Sequence, residues 1–375
     1  MCYDWFARMK LNCFLRIKIL ELTGVEMMKE VIRVGIIGAG GIARDVHIPN
    51  YLKQGEKVEV VAVADIVRDN AENLAGKFNI EHVFTDYQEM LDSVELDTVS
   101  ICTPNKFHAS ATIAALEAGC HVLCEKPPAM TVAEAEEMAE AAEKAGKILS
   151  YGLSYRHTAE VDTLKRFIAA DELGEIYAAR VHAIRRRGIP GWGVFTNKEL
   201  QGGGPLIDIG VHMLDTALYL MGYPEPDTVF GVTYQKLGNK KGVGLAGEWD
   251  WENFSIEDMA RGMITFKNGA SIILESAFAA NTEKHDEMSV SLMGDKGGAD
   301  VFPLKMYQEK HDTLIDVTPS YLPLKNNYEL QIERFVNCCL TGEQPISTAE
   351  QGVKLQKILN GLYESAERGE AIKLG

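Results

Sequence analysis

The segment Arg33-Val-Gly-Ile-Ile-Gly38-Ala39-Gly40-Gly41-Ile42-Ala43 constrains this chain more than any other. A β-branched apolar run breaks into glycines and resumes as a helical pattern, a strand–turn–helix unit of the form G-x-G-x-x-A. Gly38 permits the tight turn, Gly40 lets the backbone approach a pyrophosphate, and Ala43 is small enough for the helix to pack on the strand. Gly41 and Ile42 fall in the first helical turn, whose unpaired N–H groups favour anionic phosphates. Strands are expected at Val31–Gly38, Val58–Asp65, Asp97–Pro104, Cys120–Glu125 and Ile148–Gly152. Their near-continuous apolar character marks strands buried on both faces. Between them, helices are expected at Gly41–Leu52, Asn70–Phe78, Phe107–Ala118 and Thr131–Ala145, the last opened by a Thr131–Glu134 capping box. This alternation implies a doubly wound parallel sheet.

Asp65 ends the second strand 22 residues after Ala43, the spacing of a carboxylate that binds an adenosine ribose. A carboxylate there accepts from ribose hydroxyls and repels a 2′-phosphate, so NAD is expected over NADP. Arg68 pulls the other way, because a guanidinium can pair with that phosphate.

Beyond Ser150 the pattern changes. A helix is expected at Ala159–Ala169, an alternating strand at Glu175–Arg187 and, after a glycine-rich break, a helix at Ile207–Met221. Antiparallel strands follow Asp227. Met263–Phe266 and Ala270–Glu275 flank the hairpin signal Asn268-Gly269, and Ser289–Met293 pairs with Ala299–Phe302. Helices at Tyr328–Leu340 and Thr348–Arg368 close the chain. The expected fold class is α/β: an N-terminal Rossmann sheet plus a C-terminal α+β domain with a large open, mostly antiparallel sheet. The expected boundaries are a non-native or disordered extension at 1–28, an NAD(P)-binding domain at 29–152, and a substrate-binding and oligomerisation domain at 153–375. The apolar patch Phe14–Leu22 is interrupted by Arg16, Lys18 and Glu21, too short and too charged for a membrane span. It reads as a mis-called translation start or an amphipathic arm. A sheet covered by helices on one face leaves the other for a partner, so a homodimer or homotetramer through the C-terminal sheet is expected.

Lys plus Arg total 38 against 54 Asp plus Glu, a net charge of −16. Such a surface repels phosphate backbones and anionic membranes, so neither a nucleic-acid nor a membrane partner is expected. The seven cysteines form no CxxC pair and suit reduced, buried thiols in a cytoplasmic protein rather than disulfides or a metal site.

Three further motifs follow: Cys102-Thr103-Pro104-Asn105-Lys-Phe-His108, Glu125-Lys126-Pro127, and Gly203-Gly204-Pro-Leu-Ile-Asp208-Ile-Gly210-Val-His212-Met-Leu-Asp215. The first two end expected strands, where open α/β sheets bind ligands. With the glycine fingerprint, they resemble the glucose–fructose oxidoreductase and inositol 2-dehydrogenase family (Gfo/Idh/MocA) from Val31 to the C-terminus. The resemblance implies that Lys126 lies near the nicotinamide and the reacting hydroxyl, that His212 is the general acid/base, and that Asp208 orients or binds substrate. It implies that Thr103, Pro104, Asn105 and His108 form a loop under the nicotinamide ribose and that Glu125 contacts a cofactor ribose. Arg156 is carried over as a cofactor or substrate contact, although Ser154 stands where the family commonly has Asn. Asp208 and His212 are spaced to share one helix face, with Ile207, Val211, Leu214 and Leu218 as the neighbouring apolar stripe. Trp192 lies in an arm that covers the active site in some family members, and its flat face suits a sugar ring. A histidine of near-neutral pKa can take the hydroxyl proton while hydride leaves the carbon, and a lysine beside it can stabilise the alkoxide. The expected function is NAD(P)-dependent hydride transfer from a secondary hydroxyl of a sugar, cyclitol or glycoside. The alternatives are a glycosidase or lyase using NAD transiently without net redox, and a non-catalytic sensor, which would not need Lys126, Asp208 and His212 together.

Overall fold

The computed structural model describes residues 31–323 and 326–375; the expected N-terminal extension and Cys2 and Cys13 lie outside them. The first half builds a parallel sheet from β1 (Ile32–Ile37), β2 (Val58–Ala64), β3 (His82–Phe84), β4 (Thr98–Ile101), β5 (His121–Cys124) and β6 (Leu149–Tyr151). Its order is β3-β2-β1-β4-β5-β6. Strand β1 is central and covered on both faces, with Val34 and Ile36 buried on one side and Ile37 on the other. The order reverses between β1 and β4, so the loops leaving those strands part and open a crevice at the carboxyl edge. β3 and the helix Tyr87–Ser93 after it were not anticipated from the sequence, since three half-buried residues make no apolar run. The capping box is formed: Glu134 N donates to Thr131 Oγ1 at 3.2 Å and Thr131 N to Glu134 Oε2 at 2.9 Å.

The second half builds β7 (Ile176–Arg185), β8 (Pro226–Tyr234), β9 (Met259–Phe266), β10 (Ser271–Ala277), β11 (Asp286–Gly294), β12 (Gly297–Asp300), β13 (Lys305–Lys310), β14 (Thr313–Val317) and β15 (Ile372–Lys373). They form one sheet in the order β14-β13-β12-β11-β7-β10-β9-β8-β15. β7 and β10 run parallel and the other pairs antiparallel. The Asn268-Gly269 turn joins β9 to β10, with Gly269 at φ +87° and Asn268 Oδ1 accepting from Ala270 N. One face buries Val229, Ile264, Ile272 and Leu274 beneath the helices Val211–Leu220 and Ala349–Arg368. On the other, Phe230, Met263 and Ile273 align across β8, β9 and β10 and stay exposed.

Arg156 corrects an expectation. It does not reach a cleft; its guanidinium is fully buried below the second sheet's helices. Asp215 takes a bidentate pair from Nε and Nη2 at 2.8 and 2.5 Å. Ile346 O, Gln351 Oε1 and Tyr223 OH take the remaining donors. All the guanidinium N–H groups are thereby used, so none is left for a substrate. The cluster ties the turn Ser154–His157, the helix Val211–Leu220 and the start of the last long helix into one unit. Removing one partner strands a buried charge. Asp215→Ala is therefore expected to lower unfolding stability by about 3–5 kcal/mol in denaturant titrations, whereas a loss below about 1 kcal/mol would show that water takes over the guanidinium.

Candidate functional site

The carboxyl ends of β1, β4 and β5 face a cleft of about 690 Å³. Gly40, Gly41 and Ile42 line it from the first loop, Thr103, Pro104, Asn105 and His108 from the second, and Glu125 and Lys126 from the third. Trp192 and Phe195 close it from the second half of the chain, their rings edge to face at 6.3 Å. The glycine loop has a physical reason at two positions. Gly38 adopts φ +96°, and a Cβ on it would stand 2.6 Å from Cys102 O, so the turn tolerates no side chain. Gly40 has no atom within 4 Å of the place of a Cβ, so its backbone faces open space on the cleft side.

The flanking residues are braced. Asp65 Oδ2 accepts from Ala39 N at 2.8 Å and Oδ1 from Val67 N at 2.9 Å, fixing the carboxylate beside the glycine turn. Arg68 leans along its own helix to Glu72 at 3.1 Å. His108 presents Nδ1 to Pro127 O at 2.8 Å and Nε2 to Thr103 O at 3.1 Å, linking the second and third loops. Asn105 Nδ2 donates to Gln201 O at 2.9 Å, which ties the second loop to the other half of the chain. Thr103 Oγ1 is buried without a partner. An open glycine backbone at a helix start, a fixed carboxylate at the end of β2 and an orphaned hydroxyl in the cleft together fit a dinucleotide.

The reactive end is built on one helix. It begins with a wide π turn, Leu206–Gly210, and continues as the α-helix Val211–Leu220, where a single α-helix was expected. Close packing explains the glycines before and within it. A Cβ at Gly203 would lie 2.0 Å from Tyr363 OH, one at Gly204 2.3 Å from Glu257 O, and one at Gly210 2.9 Å from Ser276 Oγ. Glu257, buried, accepts from Gly204 N at 2.9 Å, Leu206 N at 3.3 Å and Tyr363 OH at 2.8 Å, so a carboxylate caps the helix start. No local pattern in the sequence marks Glu257, because its partners lie more than fifty positions away.

The helix delivers Asp208 to Lys126. Lys126 Nζ lies 2.7 Å from Asp208 Oδ1 and 3.2 Å from Asp208 O, with both side chains 17% exposed. Burial works against the ammonium, but Asp208 and Glu125 outweigh it and raise Lys126 above the ordinary lysine range. His212 packs against the ring of Tyr155 at 5.3 Å. Its Nδ1 is buried and has no partner. Burial, then the Lys126 cation, pull His212 down to about 3, so its ring is neutral at physiological pH. Tyr155, not its neighbour Arg156, is the residue of that segment that meets the site. An ammonium held by a carboxylate can stabilise a developing oxyanion, and a neutral imidazole beside it can accept the hydroxyl proton. Among the described residues no cluster of His, Cys, Asp and Glu could hold a metal ion, and no helix is long and apolar enough to cross a membrane.

Residues 32–153 match the family described as "Oxidoreductase family, NAD-binding Rossmann fold" and residues 165–374 its "C-terminal alpha/beta domain". A "D-glucoside 3-dehydrogenase" of Escherichia coli (strain K12) is 44% identical over 348 residues, 93% of this chain and 99% of the relative. An aldose-aldose oxidoreductase from Caulobacter crescentus, crystallised with glycerol, superposes with a TM-score of 0.76 at 26% identity over 92% of this chain and 99% of that one. A levoglucosan dehydrogenase in complex with NADH shares the fold, with a TM-score of 0.80 at 22% identity over 92% of this chain and 99% of that one.

The charge at Lys126 depresses His212, so its removal must raise the imidazole pKa, Asp208 and Glu125 remaining. In Lys126→Met the His212 titration followed by ring nitrogen NMR is expected to move up by roughly 1–3 pH units. An unmoved or lower midpoint would show that burial alone sets the ring's protonation.

Proposed function

We propose that this chain, which belongs to the Gfo/Idh/MocA family of NAD-binding oxidoreductases, moves a hydride between a secondary hydroxyl carbon of a glycoside, sugar or cyclitol and the nicotinamide of NAD. The single observation that carries the reading is the Lys126–Asp208 pair beside neutral His212 at the end of a cleft shaped for a dinucleotide. The 44% identity to the D-glucoside 3-dehydrogenase supports glucosides as the first substrates of this reading.

Lys126, Asp208 and His212 are the catalytic residues of this reading. The substrate hydroxyl enters beside Lys126 Nζ, which donates to its oxygen. His212 takes the hydroxyl proton as the C–H bond weakens, and Lys126 stabilises the alkoxide that forms. Asp208 holds the ammonium in place and shares the polar face that orients the sugar. When bound, NAD supplies the hydride acceptor. In the reverse direction protonated His212 returns the proton to the alkoxide. Trp192 and Phe195 form the aromatic wall on which a sugar ring stacks. Gly38, Gly40, Gly41 and Ile42 hold the pyrophosphate through backbone N–H groups, and Thr103, Pro104, Asn105, His108 and Glu125 border the nicotinamide ribose.

Asp65 keeps lone pairs for the adenosine ribose, and Arg68 is engaged by Glu72, which supports NAD over NADP. The 29–152 and 153–375 segments serve as the cofactor and substrate domains, and the site forms between them. The exposed row Phe230, Met263 and Ile273 pairs with the same face of a second copy in a homodimer or homotetramer. The free thiols among the described residues suit the reducing cytoplasm.

Absorbance at 340 nm with NAD and a panel of glucosides, sugars and polyols tests this reading. Turnover is expected with glucosides, falling about 10²–10³-fold in Lys126→Met and about 10²–10⁴-fold in His212→Ala. Near wild-type turnover in either variant would overturn the assigned roles. Liberated aglycone without NADH would point to the redox-neutral glycosidase instead.

A further inference from the structure

A buried polar chain runs beneath the cleft, and the chemistry above does not use it. His47 ends the π turn Ala43–His47 that follows the glycine loop. Its Nε2 lies 2.9 Å from Glu125 Oε1 and its Nδ1 3.1 Å from Ser100 Oγ. Ser100 Oγ in turn lies 2.8 Å from Tyr51 OH. His47, Ser100 and Tyr51 are fully buried and none of them lines the cleft. Of the residues that meet His47, Glu125 and Cys102 do line it, and Glu125 alone brings a carboxylate there.

We propose that His47 is a positioning residue for the cofactor: it holds one oxygen of Glu125 so that the other faces the cleft, ionised, as an acceptor for a nicotinamide-side ribose hydroxyl. The inference rests on the reading of Glu125 as a ribose contact. The carboxylate has little other support. Its Oε2 meets only Lys126 N, at a long 3.3 Å. The carboxyl packs flush on Gly152, where a Cβ would stand 2.8 Å from Oε1 and 3.1 Å from Oε2, so the group is walled behind and held from the side by His47. A buried carboxylate keeps its charge only with such a partner.

The surroundings support a charged ring. His47 is faced by Glu125 from the end of β5, by Ser100 and Cys102 at the end of β4, and by Tyr51 from the helix Ile48–Leu52. Burial opposes the charge, but Cys102 and Glu125 outweigh burial and raise His47 to about 10. As an imidazolium it donates from Nε2 to Glu125 and from Nδ1 to Ser100 Oγ, and the Ser100 hydroxyl then donates to Tyr51 OH. Burial likewise opposes the Glu125 carboxylate, yet His47 and then Lys126 bring it below the usual glutamate range.

NADH fluorescence titration, read beside the melting temperature, tests the proposal. His47→Leu is expected to weaken NADH about tenfold. His47→Gln, whose amide can reach Glu125, is expected to recover most of that loss. On a Glu125→Gln background His47→Leu should cost little more, since the two residues act in series. Independent, multiplying losses, or a lowered melting temperature with an unchanged NADH dissociation constant, would make His47 merely structural and overturn the proposal. Unchanged NADH affinity in Glu125→Gln alone would instead sink the ribose-contact reading beneath it. Should His47→Leu fail to fold, Ser100→Ala decides: weaker NADH binding with the melting temperature kept supports the relay, and unchanged affinity refutes it.

Discussion

The ion pair between Lys126 and Asp208 is the contact on which the rest of the site depends. It joins the loop after β5 of the parallel sheet to the helix that packs on the open sheet. A lysine in so enclosed a place keeps its charge because a carboxylate answers it. That one cation then has two effects. It offers a donor where an alkoxide would form, and it adds to burial in keeping His212 neutral. In the proposed mechanism a neutral imidazole and a positioned ammonium therefore both stand ready before substrate arrives.

The framework around this pair explains why it sits where it does. Gly203, Gly204 and Gly210 let the reactive helix approach Tyr363, Glu257 and Ser276 more closely than any side chain would allow. Glu257 caps the helix start, and Arg156 with Asp215 locks its far side to the C-terminal segment. On the nucleotide side, His108 and Asn105 spend their polar atoms bracing loops. Both halves of the chain thus hold the cleft rigidly from behind and leave Gly40, Thr103 and Glu125 to face it.

Much of this was legible in the sequence, for reasons that differ by element. The parallel sheet announced itself because its central strands are buried on both faces and read as unbroken apolar runs. The glycine turn was legible because φ +96° at Gly38 excludes other residues. Short edge elements such as β3 carry no such run. The i,i+4 spacing marked Asp208 and His212 as neighbours, since a helix face is a matter of counting, whereas only the family resemblance singled out Lys126. It did not separate Tyr155 from Arg156, adjacent residues that point to opposite fates, one against His212 and the other into the Asp215 cluster. Glu257 was invisible because its meaning lies wholly in contacts remote in sequence. His47 had a local signal, four residues past Ala43 in the fingerprint helix, but its partner Glu125 is 78 positions away.

Isotope transfer tests the central claim most directly. A glucoside carrying deuterium on the carbon of the reacting hydroxyl is incubated with the protein and NAD, and the reduced nucleotide is examined by mass spectrometry and NMR. The account predicts deuterium at C4 of the nicotinamide, a keto-glucoside as the other product, and a slowed rate relative to the protiated substrate. Reduced nucleotide without deuterium, or deuterium washed into solvent, would contradict direct hydride transfer in this cleft.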